Sequence, residues 1–170
     1  MKSNSLIFLV TTIILASGCQ VAGDPNIKHQ KLSVDEISNS NQCRLEVNPS
    51  AHWLDNLEAA NAMMAKVMPQ QLDSVSEPLN PQDFVDRTLL IVNMGSQPTA
   101  GYSLSLLETS LQVDGDLATV TVSWEVPDDS SIQAQLLTQP CLALAVQQGD
   151  YSNIELVDQN QNRLFILPTR

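Results

Sequence analysis

The spacing of apolar residues changes character several times along the chain. Leu6 to Leu15 is an almost unbroken apolar run of about ten residues, too short to span a bilayer. Gln20 to about Gln42 is polar, with no sustained period. Cys43 to Val47 alternates, as a strand does. Asn48-Pro49-Ser50 then reads as a helix start, with Ser50 as N-cap. Trp53, Leu54, Leu57, Ala60, Met64 and Val67 follow at helical spacing. They predict an amphipathic helix from Ala51 to about Val67. Pro69 to Pro81 reads as a loop.

From Asp83-Phe84 onward the period is that of strands. Thr88 to Met94 is nearly continuous in apolar residues, which predicts a strand buried on both faces. Tyr102 to Leu107 alternates, as does Ala118 to Val126, and Asp114-Gly115-Asp116 between them is a hairpin signal. Cys141 to Val146 is apolar again. Ile154 to Val157 and Arg163 to Leu167 flank Asp158–Asn162 as a last hairpin. The pattern predicts an α+β fold, with an N-terminal amphipathic helix packed on a mainly antiparallel β-sheet or small sandwich.

The first residues add chemistry. Lys2, the apolar run and Leu15-Ala16-Ser17-Gly18-Cys19 have the parts of an export signal. Small residues followed by cysteine resemble the lipobox of bacterial lipoproteins, with Ala16 where leucine is usual. That resemblance implies cleavage before Cys19, diacylation of its sulfur and acylation of its new amino group. The simpler alternative is an ordinary signal peptide with an incidental cysteine. Gln20 after the cysteine, in place of aspartate, suggests the outer membrane of a Gram-negative cell, facing the periplasm. The expected organisation is a signal peptide over 1–18, a flexible tether over 19–42 and one globular domain over 43–170.

Charge narrows the partners. The chain carries a formal −11. Such an acidic surface argues against nucleic acid and against anionic lipid headgroups. The hydrophobic content of 43% suits an ordinary globular core. If Cys19 carries lipid, Cys43 and Cys141 remain in an oxidising space and can pair with each other. Two buried free thiols are the alternative. No C-x-x-C is present.

Catalytic chemistry finds little support. His52 is the only histidine of the expected domain, and no serine sits in Gly-x-Ser-x-Gly. Met63, Met64 and Met68 read as filling for a core or groove. Asp158-x-Asn160-x-Asn162 opens like a calcium loop, but Arg163 and Thr169 stand where a glycine and a bidentate glutamate are needed. The expectation is a protein with no catalytic residues, no metal and no cofactor.

One stretch carries a family resemblance. Phe84, Leu89-Leu90-Ile91-Val92, Gly95 and Pro98-Thr99-Ala100-Gly101-Tyr102-Ser103 resemble the core of the PrcB C-terminal domain family, with Ala100 in place of a glycine. Ser50-Ala51-His52-Trp53-Leu54 looks like that family's opening helix. Val120-Thr121-Val122 and Gln139-Pro140-Cys141 look like its later segments, so the resemblance runs over about residues 43 to 147. It implies a non-catalytic accessory or stabilising protein with a protein partner, a protease or envelope complex. Pro98, Thr99, Gly101 and Tyr102 would form the partner-binding loop. Tyr102 is either an exposed anchor or the first core residue of a strand. A lipoprotein that binds a glycan or small molecule is the alternative. A minor one is peptidase-inhibitor-like binding, since Pro-Thr-x-Gly-Tyr is similar to a loop of chagasin-type inhibitors.

Overall fold

The computed structural model describes residues 30–68, 79–128 and 130–169. Cys19, the signal peptide, the first part of the expected tether and most of the expected loop after Pro69 lie outside these residues. Nine strands and one α-helix follow in chain order. They are β1 (Gln30–Ser40), β2 (Ser50–Leu54), α1 (Leu57–Val67), a 3₁₀ turn (Pro81–Phe84), β3 (Arg87–Asn93), β4 (Ser103–Leu106), β5 (Ser110–Asp114), β6 (Leu117–Glu125), β7 (Cys141–Gln147), β8 (Asn153–Val157) and β9 (Arg163–Pro168).

The strands form one curled sheet in the order β2-β3-β7-β1-β5-β6-β8-β9, and β4 also pairs with β6. Its two end strands, β2 and β9, come to lie beside one another. No ladder joins them among the described residues, so the sheet is a nearly closed barrel. The fold is therefore mostly β, and the expected α+β arrangement of an N-terminal helix on a sheet does not hold. All ladders are antiparallel except β6 with β8.

Alternate residues of the strands fill the barrel. Leu90 and Val92 of β3, Leu142, Leu144 and Val146 of β7, Ala118, Val120 and Val122 of β6, and Ile154 and Leu156 of β8 share one buried cluster. The intervening residues of β3 and β7 are buried too. Leu89, Ile91, Cys141 and Ala143 meet Ala60, Met64 and Val67 of α1. The helix covers the outer face of these two strands, which is why Leu89–Val92 and Cys141–Val146 are apolar at consecutive positions.

Two sequence expectations are corrected here. Ser50 to Leu54 is a strand paired with β3, from Ser50 opposite Asn93 to Leu54 opposite Leu89. Ala51 and Trp53 face the barrel interior, while Leu54 packs with the helix layer. Leu54 and Leu57 fit a period of 3.6 as well, so the spacing misleads. The N-cap is Asn56, whose Oδ1 accepts from the Ala59 amide at 2.8 Å. The hydroxyl of Ser50 instead donates to Glu46 at 3.0 Å.

The second correction is β1. Residues 30–40, expected to end the tether, form a strand that pairs with β5 through Gln30–Ser33 and with β7 through Val34–Ser40. Only Leu32 and Val34 of this strand enter the core. Backbone pairing on both edges holds it, with a bulge between Glu36 and Ser38. Such a strand has almost no apolar period to read.

Candidate functional site

Strand directions sort the loops onto two ends of the barrel. Ser40 pairs with Cys141, Asn93 with both Cys141 and Ser50, and Glu125 with Ser103. The connections 41–49, 94–102 and 126–140 therefore meet at one rim. Gln30 sits at the other end, opposite Val113 beside the β5–β6 hairpin.

A buried bond ties the first connection to the barrel. Cys43 and Cys141, 98 positions apart in sequence, form a disulfide with Cα atoms 6.2 Å apart. The Cys43 amide also donates to the Gln139 carbonyl at 3.2 Å. Asn93 is fully buried, and its side-chain amide joins this connection to the next one. Its Nδ2 donates to the carbonyls of Glu46 and Asn48, and its Oδ1 accepts from the Gly95 amide at 3.0 Å. Gln139 Nε2 adds a further bond to the Glu46 carbonyl at 2.7 Å.

The glycines of the middle connection are architectural. Gly95 has φ of +76°, and a Cβ there would lie 2.5 Å from the Val47 carbonyl oxygen. Gly101 has φ of +101°, and its Cβ would meet the Gln133 side chain at 2.6 Å and Pro127 at 3.1 Å. The loop holding Pro98, Thr99, Gly101 and Tyr102 is thus set by its neighbours. Gln97 and Thr138 exchange backbone bonds of 2.7 and 2.9 Å, the Ala100 amide donates to Ala134, and the Thr138 hydroxyl donates to the Thr99 carbonyl. Pro98 and Gly101 are exposed, whereas Tyr102 is half-buried and packs against the barrel core.

Large aliphatic side chains stand in water at this rim. Ile132 is fully exposed, Val47 is 73% and Leu137 71% exposed, and Val126 and Leu136 are more than half exposed. The 130–137 stretch was not legible as a site. Its sign in the sequence is a charge-free run, Ser130 to Pro140, with Ile132, Leu136 and Leu137 in it. That composition equally suits a buried strand.

Charges at the rim are held ionised locally. The carboxyl of Glu46 is held below its ordinary range, chiefly by its own backbone amide, with His52 and Ser50 contributing and burial opposing. The Ser130 amide and hydroxyl lower that of Asp128. Asp158 is lowered by the Asn162 side chain first and by the amides of Asn162 and Asn160. Its Oδ1 accepts both amides at 2.8 Å and its Oδ2 accepts Asn162 Nδ2 at 2.9 Å, so these carboxylate oxygens are used in building the turn. Among the described residues, no three His, Cys, Asp or Glu side chains converge to hold a metal ion. Ser50 and His52 both bond the Glu46 carboxylate, His52 at 3.2 Å, and this geometry gives Ser50 no bond to a histidine base.

No curated protein and no solved structure matches the chain. The family model described as PrcB C-terminal matches residues 88–147. That interval is shorter than the expected 43 to 147. It runs from within β3 to the end of β7, and so includes the Pro98–Tyr102 loop, the 130–137 stretch and Cys141. Over residues 88–147, 60 of its 170 residues, the chain is similar to the PrcB C-terminal family.

Proposed function

We propose that this protein is a lipid-anchored, non-catalytic subunit of the cell envelope that binds a protein partner through its loop rim. The PrcB C-terminal match points to a protease-complex-related subunit. The observation that carries the binding reading is the gathering of exposed aliphatic side chains at one end of the barrel. Contiguous apolar surface on a soluble domain marks an interaction site. An anchor at Cys19 would enter from the opposite end, because the described chain begins there at Gln30.

The aromatic side chains weigh against sugar binding. Trp53 and Tyr151 meet edge to face at 6.3 Å, and Trp124 lies 6.2 Å from Phe165. These rings are used in packing, and no aromatic lines the depression between Arg44, Ser96 and Leu137.

The test is affinity capture from intact envelopes with the tagged full chain, read by mass spectrometry. The expected result is one stoichiometric protein from a protease complex, lost in the Ile132→Asp/Leu137→Asp double variant at unchanged melting temperature. Release of the Cys19→Ser variant from the membrane fraction tests the anchor separately. Capture that persists in the double variant would overturn the rim reading.

A further inference from the structure

We infer that the 130–137 arm of the rim is the element that engages the partner, and that it takes an exposed segment whose apolar residues are flanked by lysine or arginine. The inference rests on the binding reading above and adds the contact element and the chemistry of its occupant. Three observations support it.

The first is the arm itself. Ile132, Leu136 and Leu137 project from a stretch with no charged residue, so they present an apolar ridge. The arm is also fixed at its base. Ala134 accepts from the Ala100 amide at 3.0 Å, and the Gln133 side chain lies over Gly101. A ridge held in place loses less entropy on binding than a free loop does. The neighbouring loop containing Pro98, Thr99 and Tyr102 is then a brace for the arm.

The second is charge. Glu46, Glu125 and Asp128 are exposed at this rim, and Asp128 begins the turn that leads into the arm. Arg44 belongs to the same rim, where it lines a depression with Ser96 and Leu137, and among the described residues Glu46, Glu125 and Asp128 outnumber it there. An apolar ridge beside carboxylates complements an apolar segment beside cations. A second copy would bring the same carboxylates face to face, so self-association through this ridge is disfavoured.

The third is position. β1 has 11 residues, so the arm lies roughly 30 Å from the end where residues 1–29 join. The arm and the segment that leads to Cys19 therefore leave from opposite ends of the barrel.

The experiment uses the full chain in cells that produce it, with a photo-reactive benzoylphenylalanine at position 132, 99 or 85. Position 85 lies before β3, at the other end of the barrel. The expected result is a discrete protein adduct from position 132 and none from 85. Sequencing of the crosslinked peptide should find apolar residues flanked by lysine or arginine. The Glu125→Lys/Asp128→Lys variant should cut the adduct at least fivefold. Adducts from 99 but not 132, an acidic crosslinked peptide, a lipid adduct or an adduct of two copies would overturn the assignment. The first two would leave the broader binding reading standing. Absence of any protein adduct from both rim positions would overturn both.

Discussion

Gln159 binds both backbone groups of Trp124 with its side-chain amide. Its Oε1 accepts from the Trp124 N–H at 2.9 Å, and its Nε2 donates to the Trp124 carbonyl at 3.1 Å. The partner strand β8 pairs with β6 only from Leu117 to Thr121. Beyond that point β6 would show bare backbone on this side, and the glutamine takes the place of a strand residue. Unpaired strand edges invite pairing with other chains.

Replacing Gln159 with leucine should therefore remove two bonds and uncover the edge. The expected loss is about 1 to 3 kcal/mol, since each net bond is worth roughly 0.5 to 1.5 kcal/mol. Gln159→Glu keeps an acceptor but loses the donor. Amide exchange at Trp124 should accelerate strongly in the leucine variant and less in the glutamate one. Equal exchange in all three proteins would mean that the glutamine does not protect the edge.

Gly95 and Gly115 offer a matched pair. Both have positive φ, +76° and +59°, but a Cβ at Gly115 meets nothing within 4 Å. Gly115→Ala should cost about 1 to 2 kcal/mol from the left-handed backbone alone. Gly95→Ala adds a collision with the Val47 carbonyl, which belongs to backbone already held by Asn93 and Ser96. Its cost should exceed that of Gly115→Ala by at least about 2 kcal/mol, within the range of core overpacking. Chemical denaturation of the two variants checks the order, and equal costs would mean that the 44–49 connection yields freely.

Much of this architecture was readable where burial dictates sequence. β3 and β7 are apolar at consecutive positions because barrel and helix cover opposite faces, and the continuous runs Thr88–Met94 and Cys141–Val146 announce that. Asp114-Gly115 and Asp158–Asn162 mark real turns, because positive φ and side-chain-to-backbone bonds restrict residue choice. The Cys43–Cys141 pairing, expected on the condition that Cys19 carries lipid in an oxidising space, is present. By contrast β1 and β5 went unread. Most of β1 is polar because backbone pairing holds it, and β5 buries only Leu111 and Val113. β2 was misread as helix, since five residues cannot separate a period of 2 from one of 3.6. The 130–137 arm was missed because apolar residues without charges normally signal burial, and only the fold reveals that Ile132 stands in water.

The disulfide should contribute strongly to stability. It joins residues 98 positions apart, for which loss of unfolded-chain entropy corresponds to about 4 to 5 kcal/mol. Both sulfurs lie in the layer between α1 and the sheet. Cys43→Ala/Cys141→Ala should lower the guanidinium midpoint markedly, and reductant should lower that of the native protein but not of the variant. A midpoint unchanged by reduction would show that the bridge does not hold the fold.

Tyr151 sets the alkaline limit. Its ring is 96% buried against Trp53 and its hydroxyl donates to the Gln147 carbonyl at 2.9 Å. Burial pushes its pKa up to about 12. In the unfolded chain the hydroxyl ionises near pH 10. Between these values the unfolded state has released a proton that the folded state keeps, so unfolding is increasingly favoured as pH rises. The contribution is fully present below pH 10 and is lost between about pH 10 and 12. Tyr151→Phe removes the titrating group and a bond worth roughly 1 kcal/mol. The variant should be less stable than the native protein at pH 7, should match it near pH 11 and should be the more stable of the two by pH 12. The two proteins differ in no other titratable group, so the difference between the two curves isolates Tyr151. A gap that stays constant from pH 9 to 12 would mean that Tyr151 ionises alike in the folded and unfolded chain.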